Sequence, residues 1–142
     1  MSPRFSEVSE GDQLPVLTVP LTRQDLVRYA GAAMDFNPIH WNQRFATEVG
    51  LPDVIAHGML TMAVAGRAVS EWAADPGAIT HFGVRFTRPV VVPDDEEGAA
   101  VEVTGKIAKK NDDGTVQVRI TARSEGQSVL GGASATVRLR QD

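Results

Sequence analysis

The chain has 142 residues, 14 Lys+Arg against 18 Asp+Glu (net charge −4), 42% hydrophobic residues and no cysteine, the profile of one globular domain over residues 1–142 that can bury a core without cross-links. The missing cysteine excludes a disulfide framework, a thiolate nucleophile and a cysteine-ligated zinc, and fits a reducing compartment, with the cytoplasm as the default. No apolar run nears the roughly 20 residues that span a bilayer, the opening MSPRFSEVSEGDQ has no signal-peptide core, and neither half of the chain is a polycation, so membrane insertion, secretion and nucleic-acid binding are all disfavoured.

Taken in chain order, the first predicted element is a helix capped at Thr22. The Thr-Arg-Gln-Asp run sets an acid three residues after a hydroxyl, and Leu21 and Leu26 stand at hydrophobic-staple spacing. The helix is expected to end at or just after Gly31. A loop follows over Met34–His40, because the Asn37-Pro38 step disfavours helix at Asn37. A short helix after Asn42 is expected to carry Phe45, Ala46 and Val49 inward before Gly50-Leu51-Pro52 stops it. Residues 59–74 are apolar on almost every face, which predicts a helix surrounded by protein.

Beyond Asp75-Pro76-Gly77, alternation with period two takes over. Phe82, Val84 and Phe86 form one set, Val101, Val103 and Ile107 a second, Val116, Val118 and Ile120 a third, and Ala133, Ala135, Val137 and Leu139 a fourth. Asp113-Gly114 and Glu125-Gly126 predict tight hairpins. The fold class is therefore α+β: a mostly antiparallel sheet whose apolar face is covered by the helix beginning near Met59.

Two constellations can carry chemistry. Asp35 and His40 lie five positions apart in one loop, close enough to share a proton, although an Asp before Asn-Pro also serves as a turn residue and a His as a structural side chain. Ala56-His57-Gly58-Met59 opens the buried helix, where backbone N–H groups and partial positive charge collect; Gly58 there also fits plain close packing. Together they suit a β-hydroxy thioester. Loss of water needs a base for the α-proton, an acid for hydroxide and a donor for the enolate oxygen, which the Gly58 N–H supplies.

The run Tyr29-Ala30-Gly31 through Asp35-Phe36-Asn37-Pro38-Ile39-His40-Trp41-Asn42, then Ala56-His57-Gly58-Met59 and Val84-Arg85-Phe86-Thr87-Arg88-Pro89-Val90, resembles the MaoC-like R-specific hydratase and dehydratase family over essentially the whole chain. Within it, LTRQDL, NPIHW, AHGMLTM and DPGA are most similar to the B subunits of actinobacterial (3R)-hydroxyacyl-ACP dehydratases. The resemblance implies a hot dog fold, a hydro-lyase acting on acyl-ACP or acyl-CoA in fatty acid or polyketide metabolism, Asp35 and His40 as catalytic pair and the Gly58 amide as oxyanion donor. Asn37 is expected to orient the catalytic loop and Thr61 to hold Asp35 or the reacting water, while His57 reads as a brace for the loop before the Met59 helix. Their simpler readings are turn stabilisation for Asn37 and a hydroxyl bonded back to its own helix for Thr61.

Such relatives usually carry Gly directly before the Asp. Met34 stands there in this chain, with the expectation of an altered loop or a narrowed acyl pocket. No cofactor is expected, and no metal, since no acidic ligand partner stands at recognisable spacing. His81 reads as a surface residue, and Asp94-Asp95-Glu96-Glu97 as a solvated turn. Arg67, Arg85, Arg88, Lys106 and Lys109 are candidates for the carrier phosphate. An exposed sheet edge and an incomplete acyl tunnel predict a homodimer, or a heterodimer with a related hot dog subunit. The competing readings are a non-catalytic subunit that completes a partner's tunnel, and a thioesterase, for which only Glu71 is at hand near the central helix.

Overall fold

A computed structural model describes residues 2–141. Its core is a six-stranded antiparallel sheet: β1 (Leu17–Leu21), β2 (Ile79–Phe86), β3 (Ala99–Lys110), β4 (Thr115–Ser124), β5 (Gln127–Ser128) and β6 (Leu130–Arg138). The strand order is β1-β3-β4-β6-β2, with β5 paired to β4. The helices are α1 (Arg23–Ala33), the short α2 (Gln43–Glu48) and the long α3 (Gly58–Ala73), of which α3 lies across the sheet, packed against β2, β3, β4 and β6.

Alternation makes the sheet one-sided. Val101, Val103, Ile107, Val116, Val118, Ile120, Ala133, Ala135, Val137 and Leu139 are all buried, as their period of two requires. Thr115, on the polar side of that pattern, is buried as well, because its hydroxyl and N–H both bond the Asp113 carboxylate in the β3–β4 hairpin. Those bonds hold Asp113 below the usual carboxylate range. Glu125 and Gly126 both take positive φ, 52° and 71°, the geometry of a tight β4–β5 hairpin.

β1 has no counterpart in the predicted elements. It is short, contains Pro20, and pairs on one side only, with β3; an edge is where a strand tolerates the missing N–H of proline. The Thr22 cap is as expected: its hydroxyl accepts from Asp25 N–H, while the Asp25 carboxylate accepts from Thr22 N–H at 2.9 Å. Gly31 lies inside α1, which ends at Ala33.

Two burial expectations fail. Val49 lies past the end of α2 and is exposed, so Ala46 alone of the three is fully buried. The Met59 helix is not surrounded. Thr61, Val64, Ala65, Ala68, Val69 and Ala73 face the sheet, whereas Met59, Ala63, Arg67 and Glu71, four residues apart, form an exposed stripe, because one chain's sheet covers only one flank. The Asp94–Glu97 run is an exposed turn, closed by the Asp95 carboxylate accepting from Gly98 N–H.

Gly98 is fixed by space. Its φ is +66°, and a Cβ there would sit 2.1 Å from the Leu21 carbonyl oxygen. Gly98→Ala is expected to destabilise by about 2–4 kcal/mol, adding left-handed strain to overpacking, and urea unfolding monitored by circular dichroism measures it.

Candidate active site

Backbone bonds assemble the site from three distant segments. The strand-like stretch 54–56 joins them: Ile55 N–H bonds the Ile39 carbonyl, Ala56 N–H bonds the Val90 carbonyl, and Val92 N–H bonds the Val54 carbonyl. Arg23 locks this junction from α1, reaching the Val92 carbonyl at 2.6 Å and the Asp53 carboxylate at 2.8 Å. The loop carrying Asp35 and His40 is thereby held against the start of α3.

Within the loop, Asn37 N–H donates to Asp35 Oδ1 at 3.2 Å, and the Asn37 side-chain oxygen accepts from Ile39 N–H to cap a 3-10 turn over Pro38–His40. The backbone of Asn37 thus holds the Asp35 carboxylate while its side chain shapes the turn. Trp41 Nε1–H closes the loop on the Phe36 carbonyl.

His40 Nε2 lies 4.0 Å from Asp35 Oδ2. His40 Nδ1, 2.7 Å from the Ile55 carbonyl, must be the protonated nitrogen, since a carbonyl only accepts. In the neutral ring this leaves Nε2 bare and facing Asp35. His40 is buried and Asp35 is 50% exposed at its side chain, so the pair opens to one side.

Beneath them lies His57. Its Nε2 donates to the Asp35 carbonyl at 3.1 Å, and its ring stacks on His40 with centroids 3.9 Å apart and 22° between planes. Tyr29 of α1 also packs on it, with ring centroids 4.8 Å apart and a tilt of 60°. Burial, assisted by the charge of His40, lowers the His57 pKa, against the Asp35 carbonyl bond and the Asp35 charge, which raise it.

This sets a sign for acid stability. An unfolded His57 takes its proton near about 6.5 while the folded one does not, so the unfolded state binds more protons below that value and stability falls as pH drops through it. Urea midpoints are expected to fall from pH 7 to pH 5, and to fall less in His57→Gln.

Asp35, His40 and His57 bring potential ligand atoms within 4.8 Å of one another. They do not fit a metal. Stacked imidazoles aim their in-plane lone pairs side by side, whereas a tetrahedral ion needs them convergent.

A cleft of about 380 Å³ opens beside His40, lined by Ile39, His40, Gly58, Thr61, Phe86 and Arg88 among others, with Asp35 outside its lining. Gly58 is the first residue of α3, so its N–H has no acceptor within the helix. Phe86 closes over it: a Cβ on Gly58 would meet that ring at 3.2 Å. Phe86, counted among the inward residues of β2 by alternation, is 55% exposed, because β2 is the far edge of the sheet. The Thr61 hydroxyl bonds back to the His57 carbonyl at 3.5 Å and reaches the cleft wall, with no bond to Asp35.

Met34 ends α1 in the left-handed region, φ 58°, which is the physical reason a glycine suits this position. The residue is 75% exposed and does not line the cleft. Of the five basic candidates, only Arg88 lines it. Arg85 lies over Gly131 and Gly132, Arg67 pairs with Glu71, and Lys106 and Lys109 are exposed on β3. His81 is exposed on β2, and Glu71, the carboxylate a thioesterase would need, is tied to Arg67 away from the cleft. Tyr29 and the Ile55 carbonyl are parts of the site that sequence reasoning assigned no role. A backbone carbonyl leaves no trace in residue type.

Comparison with known proteins agrees with this architecture. The family model described as MaoC like domain matches residues 5–124. The chain belongs to the MaoC-like family. This MaoC-like chain is 33% identical to the (R)-specific enoyl-CoA hydratase of Rhodospirillum rubrum over 136 residues, 95% of the chain and 90% of that protein. Among solved structures, a MaoC-like dehydratase superposes with a TM-score of 0.93 at 46% identity, covering 97% of this chain and 42% of the other, so the chain spans less than half of that protein. The ChsH1-ChsH2 complex of Mycobacterium tuberculosis shares the fold, with a TM-score of 0.80 at 23% identity over 93% of this chain and 98% of the other. Together the relatives show a hot dog fold and a hydro-lyase of the R-specific hydratase and dehydratase type. No helix among the described residues is long and apolar enough to cross a membrane.

Proposed function

We propose that this MaoC-like chain interconverts (3R)-hydroxyacyl and enoyl thioesters carried on acyl carrier protein or coenzyme A, with Asp35 and His40 as the acid–base pair and the Gly58 amide as oxyanion donor. The observation that carries the reading is the bare Nε2 of His40 facing Asp35 Oδ2 across 4.0 Å, beside a helix N-terminus in the same cleft. In the hydration direction, a water between the two groups gives one proton to the pair and adds its hydroxide to C3. The enolate oxygen is held by Gly58 N–H, and the pair returns one proton to C2, ending as it began. Dehydration is the reverse.

Asn37 and His57 keep the loop in place, and Thr61 shapes the cleft wall. Arg88 is the cation placed to receive a carrier phosphate. The open stripe on α3, together with exposed Phe36, Trp41 and Phe86 and the free β2 edge, supports a second hot dog subunit, identical or related, closing the acyl tunnel. The domain reads as one unit over the chain, working in the cytoplasm without cofactor. A purely architectural subunit would have no use for an ordered Asp35–His40 pair.

The test is hydration of crotonyl-CoA by the purified protein, followed as loss of enoyl-thioester absorbance. A (3R) product supports the reading. Silence from the folded protein, continued when a related hot dog subunit and longer acyl-ACP substrates are supplied, overturns it.

A further inference from the structure

Among the described residues, His57 Nδ1 is the only buried side-chain nitrogen or oxygen with no hydrogen-bond partner. The residue is 1% exposed, and its other nitrogen is committed as donor to the Asp35 carbonyl. Neutral, the ring leaves Nδ1 as a bare lone pair. Protonated, it would strand an N–H without an acceptor and set a positive ring 3.9 Å from the ring of His40, a member of the proposed acid–base pair. The titratable groups facing His57 are Asp35 and His40 from the loop and Tyr29 from α1, and of these only Asp35 favours a charge on it.

We propose that His57 is a positioning residue for the proton transfer: held neutral with its proton on Nε2, it ties the Asp35 backbone to the start of α3 and, flat against His40, fixes the plane in which His40 Nε2 meets the Asp35 carboxylate. This rests on the assignment of Asp35 and His40 as the reacting pair. Because His57 immediately precedes Gly58, one side chain sets the oxyanion donor and the base relative to each other. Stacking also keeps the proton where it is needed. Transfer between rings requires an in-line N–H···N approach, which faces lying 22° from parallel do not offer, so a proton accepted by the Asp35–His40 pair is not passed on to His57.

Two variants separate the contributions. His57→Phe keeps a ring against His40 and removes the donor; His57→Gln keeps a donor of similar reach and removes the ring. For crotonyl-CoA hydration, kcat is expected to fall about 10–100-fold in the Phe variant with KM within about twofold, the scale on which residues that orient a reacting group act. The Gln variant should recover part of that loss and show a displaced acid limb in its kcat–pH profile. Thermal unfolding of each variant separates lost activity from lost fold. Nitrogen-15 spectra of histidine-labelled wild-type protein give a readout independent of turnover: His57 should keep an exchange-protected Nε2–H and an unprotonated Nδ1 as pH falls through about 6.5.

A proton on Nδ1, titration of His57 at its ordinary value, or both variants matching wild type in kcat and pH profile overturns the proposal. If the wild-type protein turns nothing over even with a related hot dog subunit and longer acyl-ACP substrates supplied, the hydratase reading fails separately, and the spectrum alone decides whether His57 is held as described.

Discussion

Asp35→Asn is expected to lower kcat for enoyl-thioester hydration by about a hundred- to ten-thousand-fold, the range of a positioned acid–base group. The substitution is close to isosteric, and its side-chain oxygen can still accept from Asn37 N–H, so the loop geometry survives while the ionisable carboxylate is lost. His40→Ala should fall comparably. The double variant should be little worse than either, because groups that handle one proton together are not additive. Initial rates with crotonyl-CoA, beside far-ultraviolet circular dichroism to confirm the fold, measure this. An Asp35→Asn protein retaining more than about a tenth of wild-type kcat would sink the assignment, since a loss of less than tenfold is below anything general acid–base catalysis predicts.

The second large effect belongs to Gly58. As the first residue of α3 it occupies the helix position where proline is best tolerated, so Gly58→Pro removes the N–H at little cost to the helix. Any side chain here also meets Phe86, which Gly58→Ala reproduces without removing the donor. The proline variant should therefore lose about 10²–10³-fold in kcat beyond the alanine variant, about 2.7–4 kcal/mol, with the folded fraction of each checked by thermal unfolding. Equal rates in the two would mean that the amide does not hold the enolate oxygen.

The Asp-x-Asn-Pro-x-His loop and the Ala-His-Gly-Met helix start were legible because both are local: a proline step, an acid and an imidazole five apart, and a helix N-terminus are written in consecutive residues. Likewise the strands of the second half, whose alternation is a local period, lie where the pattern puts them. β1 escaped notice because five residues containing a proline carry little periodicity and gain their identity from pairing with β3. Val49 and the open stripe of α3 misled for a related reason: apolar character says that a face is suited to burial, not that this chain supplies the cover.

The sequence by itself determined the α+β class, the hairpins and the helix caps, and it put forward the candidate reacting residues, all from neighbours along the chain. Only the tertiary structure decided which nitrogen of His40 is bare, because the Ile55 carbonyl that fixes the tautomer lies fifteen residues away and acts through its backbone. The same holds for His57, whose pKa is lowered by burial, and for Arg88, singled out from five basic side chains by the cleft it lines. Charge state and access are set by what surrounds a group in space, and the order of residues along a chain does not encode that surrounding until the chain has folded.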